Sequence, residues 1–146
     1  MPAQHAARRG RLAALVSGMP AAPDAVLVTG LINVRYLTGF TGSNAALLVD
    51  ADGGARLGTD FRYAEQCARE VPDLPVLVER RCALSLAEHA AAAGRVRLGF
   101  EAHQMSVADH SELTVAVPAA ELVAVGHAVE DLRRVCLLYT SDAADE

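Results

Sequence analysis

The sequence predicts an α/β domain: a mixed, mostly parallel sheet with one β-hairpin and helices on both faces. Three observations carry this. Short apolar runs alternate with helical patterns three times over residues 61–135, the signature of strand–helix crossovers. Two earlier apolar runs flank Asp52-Gly53-Gly54, a hairpin signal. The length, 146 residues, is that of about one domain able to bury its own core.

The elements follow in order. Leu12, Leu15, Val16 and Met19 recur at i, i+3, i+4, i+7, one face of an amphipathic helix. Arg8, Arg9 and Arg11 before Leu12–Val16 superficially resemble a signal peptide, but Ser17 and Gly18 break the apolar run at once. Pro20 and Pro23 stop the helix. Ala25–Thr29 reads as a buried strand. Residues 31–43 carry the turn-type residues Gly39, Gly42 and Ser43 beside Tyr36 and Phe40. Asn44–Asp50 and Ala55–Thr59 form the hairpin. A helix over 61–71 places Phe61, Ala64, Ala68 and Val71 on one face, with Glu65 and Arg69 paired outside. Pro75–Val78 is a strand. Ser85-Leu86-Ala87-Glu88 reads as a capping box opening an Ala-rich helix that ends at Gly94. Val96–Phe100 is a strand, Ser106 caps a helix toward Val117, Ala120–Val125 is the last strand, and a helix starts over Ala128–Val135.

Composition narrows the function. Apolar residues make up 52% and charged residues 21%, ordinary for a globular domain. A net charge of −5 argues against a nucleic-acid or anionic-membrane surface. All 13 basic residues are Arg, which we read as the codon bias of a GC-rich, bacterial genome. Cys67, Cys82 and Cys136 are too scattered for a disulfide framework or a zinc site, and fit a reducing, cytoplasmic setting. No apolar run approaches the ~18–20 residues needed to span a bilayer.

Few residues offer chemistry. Of five histidines, only His103 and His110 lie in a local cluster, with Glu101 and Asp109. Their spacings match no standard metal pattern, and capping or solvated roles explain them better. Ser43 lacks the GxSxG elbow of an exposed nucleophile and reads as a turn residue. Cys67 reads as packing. No glycine pattern makes a phosphate loop. Thr59-Asp60-Phe61-Arg62-Tyr63 is more informative, because it joins a strand end to a helix start, where α/β sheets place ligand contacts. Asp60 suits the N-cap. Arg62 opposes the helix dipole there, so either Asp60 or an external carboxylate must compensate it.

The stretch Tyr36-Leu-Thr-Gly39-Phe40-Thr-Gly42-Ser43-Asn44, the strand after it, and Thr59-Asp-Phe-Arg-Tyr63 with Gln66 resemble the N-terminal domain of the creatinase/aminopeptidase P/prolidase family. Leu98-Gly-Phe-Glu101 and Val129-Glu-Asp-Leu-Arg-Arg134 agree in order and spacing, so the likeness covers roughly residues 8–135. One departure is Phe61, where the family most often has Gly. The resemblance implies a ribonuclease H-like mixed sheet and a non-catalytic role. Asp60, Arg62 and Tyr63 would face substrate or an interface, while Tyr36, Gly39, Phe40, Gly42, Ser43 and Gln66 form a structural motif. Catalysis would belong to a second domain holding two divalent metals, often manganese, through two Asp, one His and two Glu. Its substrate would be a peptide with proline at the second position. The partners implied are that catalytic domain and further copies of the chain. A protein-binding module on the same fold and a creatine-type amidinohydrolase are the alternatives.

Residues 136–146 break the pattern before them. Without this stretch the acidic count falls from 18 to 15, by loss of Asp142, Asp145 and Glu146, and the net charge moves from −5 to −2. We read it as a non-native tail standing where the catalytic domain would begin, so that the domain proper is 1–135.

Overall fold

Six strands form one sheet in the order β4-β3-β2-β1-β5-β6 in a computed structural model that describes residues 2–134. The strands are β1 (Ala25–Val28), β2 (Ala45–Asp50), β3 (Ala55–Thr59), β4 (Val76–Val78), β5 (Arg97–Phe100) and β6 (Glu121–Ala124). β2 runs antiparallel to both β1 and β3, while the β3–β4, β1–β5 and β5–β6 pairs are parallel. All six lie within a residue or so of the runs read from the sequence. The β2–β3 turn is held locally, Asp52 Oδ1 accepting the Gly54 amide at 2.9 Å.

Period-two alternation sorts the strand side chains to two cores. Val26 and Val28 of β1 and Leu47 and Val49 of β2 face one side. There they meet α1 (Pro2–Ser17), α2 (Leu31–Thr38), α3 (Ala64–Glu70) and a helix α6 over 128–134. Leu27, Leu48 and Leu98 face the other, under α4 (Cys82–Ala92) and α5 (Val107–Ala116).

Three local expectations need correction. Residues 31–38, read only as a segment leading into turns, form α2. Val34 and Leu37 are buried, and this packing overrides the weak helix propensity of Ile, Asn, Val and Thr. Ser85 is not a cap. Its amide already bonds Arg81 O at 3.0 Å, because the helix starts at Cys82 and so buries Cys82 and Leu86 together. The face of helix 61–71 is corrected in part. Phe61–Tyr63 wind as a 3₁₀ turn with three residues per turn, and Phe61 and Ala68 are exposed, while Val71 is buried as expected, together with Cys67. The Ser106 cap is present, its hydroxyl accepting the Asp109 amide at 3.0 Å.

Candidate functional site

The carboxyl ends of β1, β3, β4 and β5 and the start of β2 share one rim of the sheet, and the residues singled out from the sequence gather at two places on it. The first is built on Asp60, directly after β3. Its carboxylate accepts the Arg62 amide at 2.9 Å, Arg62 Nε at 3.0 Å and Arg62 Nη2 at 2.9 Å. Asn44, at the foot of β2, adds a fourth bond at 2.7 Å. The Arg62 guanidinium beside it, then Asn44, hold the Asp60 carboxyl well below the usual carboxylate range despite opposing burial. Arg62 therefore has an internal partner, and its own pKa is raised by the same bonds. The pair is asymmetric: the Asp60 side chain is 8% exposed and that of Arg62 is 63% exposed. The carboxylate acts as a buried anchor, and the guanidinium stands out in solvent.

Tyr63 ties this turn to the 39–44 loop. Its ring meets Phe40 edge-on, 5.9 Å between centroids, and its hydroxyl hydrogen-bonds Ser43, which draws the phenol pKa down. A side chain at Gly42 would start 2.4 Å from Phe40 Cζ and 3.1 Å from Tyr63 Cδ1, so the loop closes only with glycine there. Gly39 ends α2 in the left-handed region, φ +84°, with the His5 ring over it. Gln66 reaches Thr41 Oγ1 at 2.9 Å, and Glu70 accepts the Thr41 amide at 2.9 Å. Burial works against ionisation of Glu70, but these donors outweigh it and lower its pKa.

The loop is held from behind by α1. Arg8 Nη1 donates to Tyr36 O at 2.9 Å with its guanidinium 4.3 Å from the Tyr36 ring. Arg9, 4% exposed, donates to Leu37 O at 2.9 Å and to Asp73 Oδ2 at 2.8 Å. Two arginines thus satisfy carbonyls at the carboxyl end of α2 that the helix leaves open.

Glu101 makes the second place. It is 1% exposed and follows β5. Its Oε1 accepts the Thr29 and Gly30 amides at 2.8 and 2.9 Å, and its Oε2 accepts Asn33 Nδ2 at 2.6 Å. The carboxylate thus holds the Thr29–Gly30 backbone that leads into α2, from a distant strand. Asn33 Nδ2 also reaches Glu130 Oε2 at 2.9 Å, His103 Nε2 bonds the same oxygen at 2.7 Å, and Arg133 Nη1 donates to Asn33 Oδ1 at 3.0 Å. Burial raises the Glu130 pKa, but the Asn33 and His103 bonds bring it down to about 2. Glu130 and Asn33 were not foreseen. Asp109 and His110 stay apart from this group, His110 lying against the Phe100 ring.

Glu101, His103 and Glu130 bring their ligand atoms within 4.8 Å of one another. They do not fit the two-metal centre the resemblance implies for a catalytic domain, which needs two Asp, one His and two Glu. The Asn33 amide, pinned by Arg133, also sits between the two carboxylates where a cation would have to bind. Nucleophilic chemistry fares no better. Ser43 is bonded to Tyr63 and not to a base, and burial pushes the Cys67 and Cys82 thiols up to about 11. No helix among the described residues is long and apolar enough to cross a membrane.

Known proteins agree with this picture. The family model described as the Creatinase/Prolidase N-terminal domain matches residues 11–135. The N-terminal domain of the cytoplasmic peptidase PepQ from Mycobacterium tuberculosis H37Rv superposes with a TM-score of 0.82 at 46% identity, covering 86% of this chain and 98% of that one. An Xaa-Pro aminopeptidase structure from Streptococcus pyogenes does so with a TM-score of 0.80 at 30% identity, covering 90% and 99%. An uncharacterised peptidase of Bacillus subtilis, YqhT, is 35% identical over 113 residues, which is 77% of this chain but 32% of that protein. The chain thus spans about a third of the length of that curated relative. By its sequence match, its sheet order and its rim motifs, this chain belongs to the creatinase/prolidase N-terminal domain family.

Proposed function

We propose that this chain serves as the non-catalytic N-terminal domain of a cytoplasmic, proline-specific metallopeptidase of the Xaa-Pro aminopeptidase kind. In this reading it packs on its own catalytic domain, takes part in homo-oligomer assembly and walls the active site. There a peptide with proline at the second position is cut by chemistry that two divalent metals, manganese in our reading, supply in the catalytic domain. Residues 136–146, outside the described residues, are in this reading a non-native tail.

One observation supports this above the others. Asp60 is buried and fully bonded, so it fixes an exposed Arg62 at the rim of the sheet, next to a loop locked by Tyr63 and Gly42. A rigid guanidinium with one open face suits recognition of a carboxylate from substrate or a neighbouring subunit. The test is Arg62→Ala in the longer protein that carries the catalytic domain. The variant should lose about tenfold in kcat/KM or in assembly affinity, the scale of one charge-assisted hydrogen bond. The far-UV spectrum and unfolding midpoint should stay as in the parent. Unchanged kinetics together with an unchanged oligomer mass would reduce Arg62 to a surface ion pair.

A further inference from the structure

The adjacent parallel strands β1 and β5 send the chain in opposite directions. After β1 it runs through α2 to β2, and after β5 through α5 to β6, on the other side of the pair and over the other face of the sheet. Such a divergence leaves a crevice outside the carboxyl ends of the two strands, the usual ligand position of an open α/β sheet. Here the crevice opens into a cleft of about 360 Å³ that extends to the first turn of α4. Small-molecule pockets span about 300–1,000 Å³, so this one suits a compact ligand.

The polar groups around the cleft are only partly used. Thr29, directly after β1, lines it, and the Thr29 hydroxyl is shielded from solvent with no hydrogen-bond partner among the described residues. Cys82, Ala83 and Leu84 line it from the first turn of α4, where Arg81 supplies no side-chain cap and the amide donors stay open. Arg81 and Glu112 neutralise each other. Arg80 and Asp109 also line the cleft, and among the described residues neither side chain has an ion-pair partner. Ala46, Leu84, Met105 and Leu113 contribute apolar wall.

The two unpaired charges are of opposite sign, and this decides the class of ligand. An anion alone would gain from Arg80 and the positive end of α4 but would meet Asp109. A cation alone would gain from Asp109 but would meet the other two. A small molecule carrying both charges satisfies both sides: a carboxylate at the α4 amides and Arg80, an ammonium group toward Asp109, and an apolar side chain on the Leu84 and Met105 wall. We propose that this cleft binds a small zwitterion of the α-amino acid class, free or as a short peptide. Every group it uses belongs to this domain, so the site stands independently of a catalytic domain.

The experiment is an amide NMR titration of the 146-residue chain with leucine and with alanyl-leucine. Isocaproate (no ammonium group), isoamylamine (no carboxylate) and inorganic phosphate are the comparisons. The zwitterions should shift the Cys82, Ala83, Leu84 and Asp109 amides and saturate at a concentration on the order of a millimolar. Isocaproate and isoamylamine should bind at least about tenfold more weakly, the scale of one charge-assisted hydrogen bond. Arg80→Ala and Asp109→Asn, both at exposed positions, should each weaken leucine about tenfold and leave the unfolding midpoint unchanged. Whichever of leucine and alanyl-leucine binds more tightly identifies the source as free amino acid or peptide, and binding of neither overturns the site. Isocaproate or phosphate as strong as leucine would mean a bare anion site at a helix end and overturns the zwitterion assignment. Saturating shifts that both variants leave intact overturn it as well.

Discussion

Arg9→Ala is the change expected to damage this domain most for the least alteration of its surface. The guanidinium is 4% exposed and makes two bonds, to Leu37 O at the end of α2 and to Asp73 on the segment before β4. Deleting it leaves a buried carbonyl without a donor, at a cost of about 1–3 kcal/mol, and removes a charge-assisted bond worth about 1.5–3 kcal/mol. The full penalty of breaking a buried ion pair, about 3–5 kcal/mol, is the upper bound, because Asp73 is 27% exposed and can rehydrate. We therefore expect a loss of about 3–4 kcal/mol, a large fraction of the 5–15 kcal/mol by which such domains are stable. Urea unfolding followed by circular dichroism measures this directly. The comparison is Arg97→Ala, whose partner Glu121 lies across the exposed β5–β6 edge with both side chains about half exposed, and whose loss should cost at most about 1 kcal/mol. If the two variants shift the midpoint equally, the buried pair contributes no more than a surface pair and the account of α1 as a clamp on α2 is wrong. A cycle with Asp73→Ala separates the ion pair from the carbonyl: the double variant should lose little beyond Arg9→Ala alone.

The remaining predictions concern single groups. Asp60 has a folded-state pKa below its unfolded value of 3.8, so its stabilisation is present above that value and is lost only as the pH falls through the lower, folded one. Its carboxyl resonance should still report the ionised form at pH 3, and its titration should move upward in Arg62→Ala; an inflection near 3.8 in the parent would remove the anchor role. Cys67 and Cys82, with thiols at about 11, should resist iodoacetamide at pH 8 until the chain is unfolded, and labelling of either peptide in the native protein would contradict their burial. Calorimetry with Mn²⁺ should show no stoichiometric tight binding to this chain; a one-to-one isotherm would mean that Glu101, His103 and Glu130 can displace the Asn33 amide after all.

The readable parts of this fold were those whose causes are local. Strands β1 to β6 announce themselves through apolar runs, the hairpin through its glycines, and α5 through Ser106. Helix α2 announces itself less, because much of its support comes from afar: Glu101 holds the Thr29 and Gly30 amides just before it, and Arg8 and Arg9 take up carbonyls near its other end. Of its supports, the neighbouring sequence shows only Gly39, the left-handed glycine that stops the helix. Glu130 was hidden for the same reason, since its meeting with Asn33 joins positions far apart in the chain. The motif at Asp60 was legible as a place, and the direction of Arg62 was open until the bidentate geometry supplied its partner. The helix over 61–71 shows a different limit: a 3₁₀ turn at its start turns Phe61 out to solvent, and periodicity counted at 3.6 cannot register that.

One face of the sheet is roofed by both ends of the described chain. Leu12, Ala13 and Val16 come from its beginning, and Ala128 and Val129 from its last helix, and they share one core with Val26, Leu47 and Leu57. This core cannot close during synthesis until Val129 has left the ribosome, although the opposite core needs nothing beyond residue 122. The two layers therefore mature at different times on a growing chain, and the α4–α5 side is available first as a half-built template. For anyone trimming the domain, the same geometry places the earliest safe cut beyond Leu132, which still packs against the late-closing core.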